Sequence, residues 1–162
     1  MAAALPHEEP HPGPPGVHRA LVKHTGFLLA RMGHVAAKQF SGRLEELGLT
    51  TRMWGALNVL DAEGAITQQT LGKCTGIDPS SMVATIDDLE AAGLVERRQH
   101  PSDRRAHALH LTDDGRATLA RGRQLARQAQ EDLLTPLAPD ERKQLHDLLL
   151  RLALASAPWA KK

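Results

Sequence analysis

At 162 residues, 41% of them apolar, the chain has the length of one domain, or of a small domain fused to a helical dimerisation element, and it can bury a core. Its aromatics are Phe27, Phe40, Trp54 and Trp159, with no Tyr, which disfavours the stacking platforms that bind single strands or RNA. The formal net charge of +1 does not by itself announce a nucleic-acid partner. A single cysteine, Cys74, excludes an intrachain disulfide, and there is neither a membrane-length apolar run nor a signal peptide, so a cytoplasmic protein with no membrane partner is expected.

Residues 1–16 carry five prolines and few apolar residues after Ala4; they read as a disordered Pro/His arm. From Val17 to Leu47, Leu21, Leu28, Met32, Val35, Phe40 and Leu44 recur at helical spacing, and Gly48 ends the run. Thr50 suits the N-cap of a second helix carrying Met53, Trp54, Leu57 and Leu60, which stops near Gly64. A third helix is expected over about Thr67 to Thr75, with a turn at Gly76. A fourth opens with Asp78 as N-cap and Pro79 in the first turn and ends at Gly93. Two strands follow: Val95, then Leu109 and Leu111, supply an apolar side that alternates with Glu96 and His110. Thr112-Asp113-Asp114-Gly115 starts a long polar helix to about Leu134. Pro139-Asp140-Glu141 starts a last one, whose six leucines between Leu145 and Leu154 cover too wide an arc for one buried stripe.

Helix, turn, helix and two-stranded ribbon make the order of a winged helix-turn-helix, whose second helix enters the major groove of double-stranded DNA. The fold class expected is mainly α with a small β-wing. Residues 48–112 form the DNA-binding domain, and residues 17–47 and 113–157 form a helical dimerisation region in which the first and last helices pack together. With Met82, Ile86 and Leu89 on the buried face of the fourth helix, Ser80, Ala84 and Asp87 take the opposite face, flanked by Ser81 and Val83. Small residues there let the helix seat deeply. The serines can meet bases or phosphates, and Val83 a thymine methyl; Ser80 and Ser81 would equally serve as caps.

Between Thr67 and Thr112 five basic residues face six acids, yet four arginines, Arg97, Arg98, Arg104 and Arg105, fall within nine positions. Local patches matter more than totals for DNA. In an extended tip Asp103 and Arg105 share a face, so the carboxylate can orient the guanidinium for a narrow minor groove, while Arg104 turns toward a phosphate. The DNA-binding candidates are Pro79, Ser80, Ser81, Val83, Ala84, Arg97, Asp103, Arg104 and Arg105.

The segments Leu47-Gly48-Leu49-Thr50, Asp78-Pro79-Ser80-Ser81 and Leu89 to Val95 are one set of signatures. Pro101-Ser102-Asp103-Arg104-Arg105, followed by Leu111-Thr112-Asp113-Asp114-Gly115, is the most specific. In these the chain resembles the MarR family of winged-helix transcription regulators, over about Leu21 to Leu154. The resemblance implies a homodimer that binds a pseudo-palindromic operator and usually represses, with an Asp103–Arg105 pair at the wing tip. Ala84 departs from the pattern, since many members carry a basic residue there.

The resemblance also implies release by a small-molecule ligand such as an aromatic acid, held between the dimer helices and the DNA module. Such an anion needs a cation and apolar walls: Arg19, His24 and Arg31 are the candidate cations and Trp54 a candidate wall. Each also suits an ordinary role, as a surface cation or as core packing. A redox sensor of the family would use a cysteine near the first helix, supported by tyrosines; Cys74 suits packing instead. Nine histidines keep a zinc-responsive regulator open as an alternative, although no compact metal motif appears and no metal residues are assigned. A helical interaction protein that has lost DNA binding is a further alternative. No catalytic motif, phosphate loop or dinucleotide fingerprint is present, so neither an enzyme nor a cofactor is expected.

Overall fold

Punctuation by caps and glycines sets the elements. In a computed structural model, which describes residues 17–99 and 107–156, the helices α1 (Thr25–Glu45), α2 (Thr51–Glu63), α3 (Gln68–Thr75) and α4 (Pro79–Ala91) come first. The strand β1 (Ile66–Thr67) falls between α2 and α3. The strands β2 (Val95–Gln99) and β3 (His107–Leu111) and the helices α5 (Asp113–Leu134) and α6 (Pro139–Ser156) complete the order. Thr50, Thr67, Asp78 and Thr112 cap α2, α3, α4 and α5, each accepting from the backbone N–H three residues on. Gly76 (φ 70°) closes α3 in the left-handed conformation that makes the helix-turn-helix corner, and Gly93 (φ 70°) turns α4 into β2. The Pro/His arm, the wing tip and the last residues expected in the final helix lie outside the described residues.

The chain divides into two units, residues 1–38 and 39–162. In the first, turns closed by Leu21 N–H on His18 O (2.9 Å) and His24 N–H on Leu21 O (3.1 Å) precede the helix. α1 therefore starts eight residues later than the apolar spacing from Val17 suggests. Leu21, Leu28, Leu29 and Met32 are exposed there.

In the second unit, α2, α3, α4 and the sheet enclose one core. Leu57, Leu71, Met82, Ile86, Leu89 and Leu109 are all essentially inaccessible. Burying each such side chain contributes roughly 1.5–3 kcal/mol. The sheet has three strands, not two, in the order β1-β3-β2. β1 pairs Ile66 with Leu109 and Thr67 with Ala108, while β2 pairs Val95 with Leu111 through Gln99 with His107, all antiparallel. With a strand on each edge, β3 buries Ala108 as well as Leu109 and Leu111, so the simple alternation expected of a ribbon fails at Ala108.

α5 packs through small residues: Gly115, Thr118, Leu119, Gly122 and Ala129 are buried along one face. A Cβ at Gly122 would stand 3.0 Å from Trp54 Cδ1. One at Gly115 would fall on the Leu94 carbonyl oxygen and 2.9 Å from Leu111 Cδ2. Arg123 clasps α5 to α2, with Nη1 2.8 Å from Asp61 Oδ2 and Nε donating to Asn58 Oδ1 at 3.1 Å. Arg43, in the last turn of α1, pairs with Asp132 of α5. In α6, Leu148, Leu149, Leu150, Leu152 and Leu154 are all exposed, reaching 60% at Leu154. Among the described residues no helix is long and apolar enough to cross a membrane.

Candidate nucleic-acid interface

The presented surface of α4 follows from which of its residues fill the core. Met82, Thr85, Ile86 and Leu89 are buried, with the Thr85 hydroxyl satisfied by donating to Ser81 O at 2.8 Å. That leaves Pro79, Ser80, Val83, Ala84 and Asp87 exposed and Ser81 half-buried. Val83 is a β-branched apolar side chain 45% exposed on a helix otherwise well packed, which suits contact with an apolar group such as a thymine methyl.

The helix start is a polar cluster. Asp78 Oδ1 accepts from the Ser80 hydroxyl at 2.6 Å and from Ser81 N–H at 3.0 Å. These two bonds, the Ser80 hydroxyl first, hold the Asp78 carboxyl well below the usual carboxylate range. Ser80 thus supports the Asp78 cap and faces solvent at once. Its proton is engaged by Asp78, so its oxygen presents lone pairs outward, suited to accept from a base amino group. A fixed negative charge at this helix start also disfavours a phosphate there, which leaves phosphate contact to other elements.

The wing grows from the other end of α4. Thr112 Oγ1 donates to Gly93 O at 2.8 Å and accepts from Gly115 N–H at 2.9 Å. Thr112 N–H reaches Leu94 O at 3.2 Å. The wing base, the turn after α4 and the start of α5 are therefore joined at one residue. Two of the four arginines expected at the wing are paired inside the protein. Arg98 pairs with Glu96 on its own strand. Arg97 reaches back to α4, with Nη2 on Asp87 Oδ1 at 2.7 Å and Nη1 on Glu90 Oε2, while its backbone N–H donates to Glu90 Oε1 at 3.1 Å. Its pKa is raised, mainly by the bond to Asp87. Sequence reasoning missed this bridge and β1. Asp103, Arg104 and Arg105 lie outside the described residues.

Arg19, His24 and Arg31 are exposed. Only Arg31 is on α1, because Arg19 and His24 precede it. Trp54, half-buried on α2, meets Phe40 edge to face with ring centroids 5.0 Å apart. Its Nε1 is buried and has no hydrogen-bond partner among the described residues, which is uncommon for a buried indole N–H. Cys74 is exposed, whereas the sequence suggested packing. Among the described residues no cluster of three or more His, Cys, Asp or Glu side chains is placed to hold a metal ion.

A family model described as the MarR family matches residues 47–106, the stretch from before α2 through β2 toward the wing. A protein of Thauera aromatica assigned to transcriptional regulation of the hcr operon is 34% identical over 137 residues, 84% of this chain and 82% of that protein. Among solved structures, the transcriptional repressor CouR bound to a 23-mer DNA duplex is 36% identical. It superposes with a TM-score of 0.74 over 82% of this chain and 94% of its own. BpsR of Bordetella bronchiseptica, whose DNA binding is regulated by 6-hydroxynicotinic acid, is 29% identical with a TM-score of 0.68, over 79% of this chain and 97% of its own. The helix-turn-helix, the three-stranded wing sheet and the flanking helices define a winged-helix transcription regulator. The chain belongs to the MarR family. This is a family of transcription regulators and not of enzymes.

Proposed function

We propose that this protein is a homodimeric repressor that binds a pseudo-palindromic operator in double-stranded DNA, with α4 in the major groove and the wing tip in the minor groove. The observation that carries the reading is the division of α4: Met82, Ile86 and Leu89 are buried while Ser80, Val83 and Ala84 stand open to solvent. A helix held by its inner face beside a β-ribbon is the docking geometry of the motif. Direct readout comes from Ser80, Ser81 and Val83, with Pro79 and Ala84 permitting close approach. Asp103, Arg104 and Arg105 supply the wing contact and much of the salt dependence. The exposed leucines of α6, and separately Leu28, Leu29 and Met32 of the first unit, supply apolar area for a second copy.

The test is binding to a duplex carrying the intergenic region beside this protein's own gene, with random-sequence duplex as competitor. Wild type is expected to bind selectively and to weaken steeply as salt rises; Arg105→Ala is expected to bind roughly 5- to 150-fold more weakly, a base contact being worth about 1–3 kcal/mol. Wild type that shows no preference for that duplex, or for any selected from a random pool, would contradict the reading.

Release by a small aromatic acid is the second half of the proposal. Trp54 Nε1, buried and without a hydrogen-bond partner among the described residues, supports a ligand with a hydrogen-bond acceptor; separately, Arg19, His24 and Arg31 of the first unit are the candidate cations for a carboxylate. Trp54→Phe keeps a ring and removes the N–H. It is expected to retain operator binding but to raise the concentration of 6-hydroxynicotinic or phenolic acid needed for release; unchanged release would remove Trp54 from the site.

A further inference from the structure

Arg97 bridges two elements that a winged-helix reader uses separately. On β2 its backbone N–H and its guanidinium both engage Glu90, one carboxylate oxygen for each, while the second guanidinium nitrogen reaches Asp87 Oδ1 at 2.7 Å. Asp87 and Glu90 are three apart, one turn along the same flank of α4, and they fall near the carboxyl end of the helix, where carboxylates oppose the helix dipole. Without a cation these acids would repel both that dipole and an approaching phosphate backbone. Arg97 answers both with a planar fork that gives one nitrogen to each carboxylate, a geometry that Lys cannot reproduce.

We infer that Arg97 is a positioning residue that locks the wing to the recognition helix through Asp87 and Glu90, and that it is not one of the protein's phosphate contacts. The inference rests on the DNA-binding reading above and replaces the groove-facing role expected of Arg97 from the arginine cluster. The lock fixes the angle between the base-reading helix and the strand leading to the wing tip, so it governs whether both can enter their grooves together. Its loss should cost selectivity more than general affinity.

Charge and positioning make opposite predictions. The experiment takes the full-length protein and the tightest duplex selected by wild type from a random-sequence pool. It measures affinity for that duplex and for a scrambled one across a salt series, well below each variant's melting temperature. The variants are Arg97→Ala, Arg97→Lys and the double variant Asp87→Asn/Glu90→Gln. Positioning predicts that all three lose about tenfold or more of the ratio between selected and scrambled duplex, the scale of one mismatched base pair, while Arg97→Ala keeps the wild-type salt slope on the scrambled duplex. A phosphate-binding role predicts a slope smaller by about 0.9 for each phosphate that is no longer neutralised, Arg97→Lys close to wild type, and tighter selective binding by the double variant, which sheds two negative charges per chain. Any of these three results overturns the positioning role while leaving DNA binding intact. A wild-type protein that selects no duplex overturns the DNA reading and this inference with it.

Discussion

At Gly115 the first turn of α5 passes so close to the Leu94 carbonyl that no side chain fits, and the same N–H is held by the Thr112 cap. Thr112 and Gly115 of the Leu-Thr-Asp-Asp-Gly run therefore meet a packing requirement at the wing base. Gly115→Ala should push α5 off the strand and lower stability by roughly 1–3 kcal/mol, the usual cost of overpacking; a denaturant melt that matches wild type would refute the close approach. Asp78 is a second case. Because the Ser80 hydroxyl and Ser81 N–H depress its folded pKa below the ordinary value of 3.8, it binds protons more weakly in the folded chain than in the unfolded one. Its contribution to stability is thus complete above about pH 4 and is lost as pH falls below that. The melting difference between wild type and Asp78→Ala should be constant from neutral pH down to that point and shrink in stronger acid. A difference that instead grows on acidification would mean that the carboxylate is not the stabilising form.

Among the elements, helices with clear punctuation are legible in the sequence and short or crossed pairings are not. Thr50, Asp78, Pro79 and Gly93 name the bounds of α2 and α4 because a cap needs a particular side chain and a reversal needs a particular φ. The start of α1 is hidden because Leu21 keeps helical spacing while the backbone around it folds into turns, and spacing does not report where hydrogen bonds begin. β1 has two residues, too few to show a period. The polar character of α5 is legible, but its packing face is built largely of glycine, threonine and alanine, which hydrophobic spacing does not mark. The Arg97 bridge does have a signal, namely two acids three apart at the wrong end of a helix with an arginine soon after. The clasp of Arg123 with Asp61 and Asn58 is part-exposed, so Arg123→Ala should lower stability by only about 0.5–1 kcal/mol. A loss several times larger in a thermal melt would mean that the clasp anchors α5 and is more than trim.

At the scale of the whole molecule, the proposed function requires a symmetric pair of chains that reads the duplex twice. Leucines of α6 as exposed as Leu152 (55%) and Leu154 (60%) are unusual on a lone helix and fitting for one that meets a second copy. A Leu152→Glu/Leu149→Glu variant should shift the protein toward the mass of a single chain in light scattering and lose operator affinity together with the dimer. Dimeric mass retained by that variant would place the interface elsewhere. The family and the helix-turn-helix order are legible in the sequence because they depend on residue type at fixed spacing. The proposed pairing of two copies shows in one chain only as leucines in excess. The most direct measurement is a hydroxyl-radical footprint of the wild-type protein on its selected duplex. Two symmetric protected half-sites on one face of the DNA, centred about 34–36 Å apart, are the predicted result. A single unpaired patch, or uniform protection along the duplex, would contradict a dimer that reads an operator with two recognition helices.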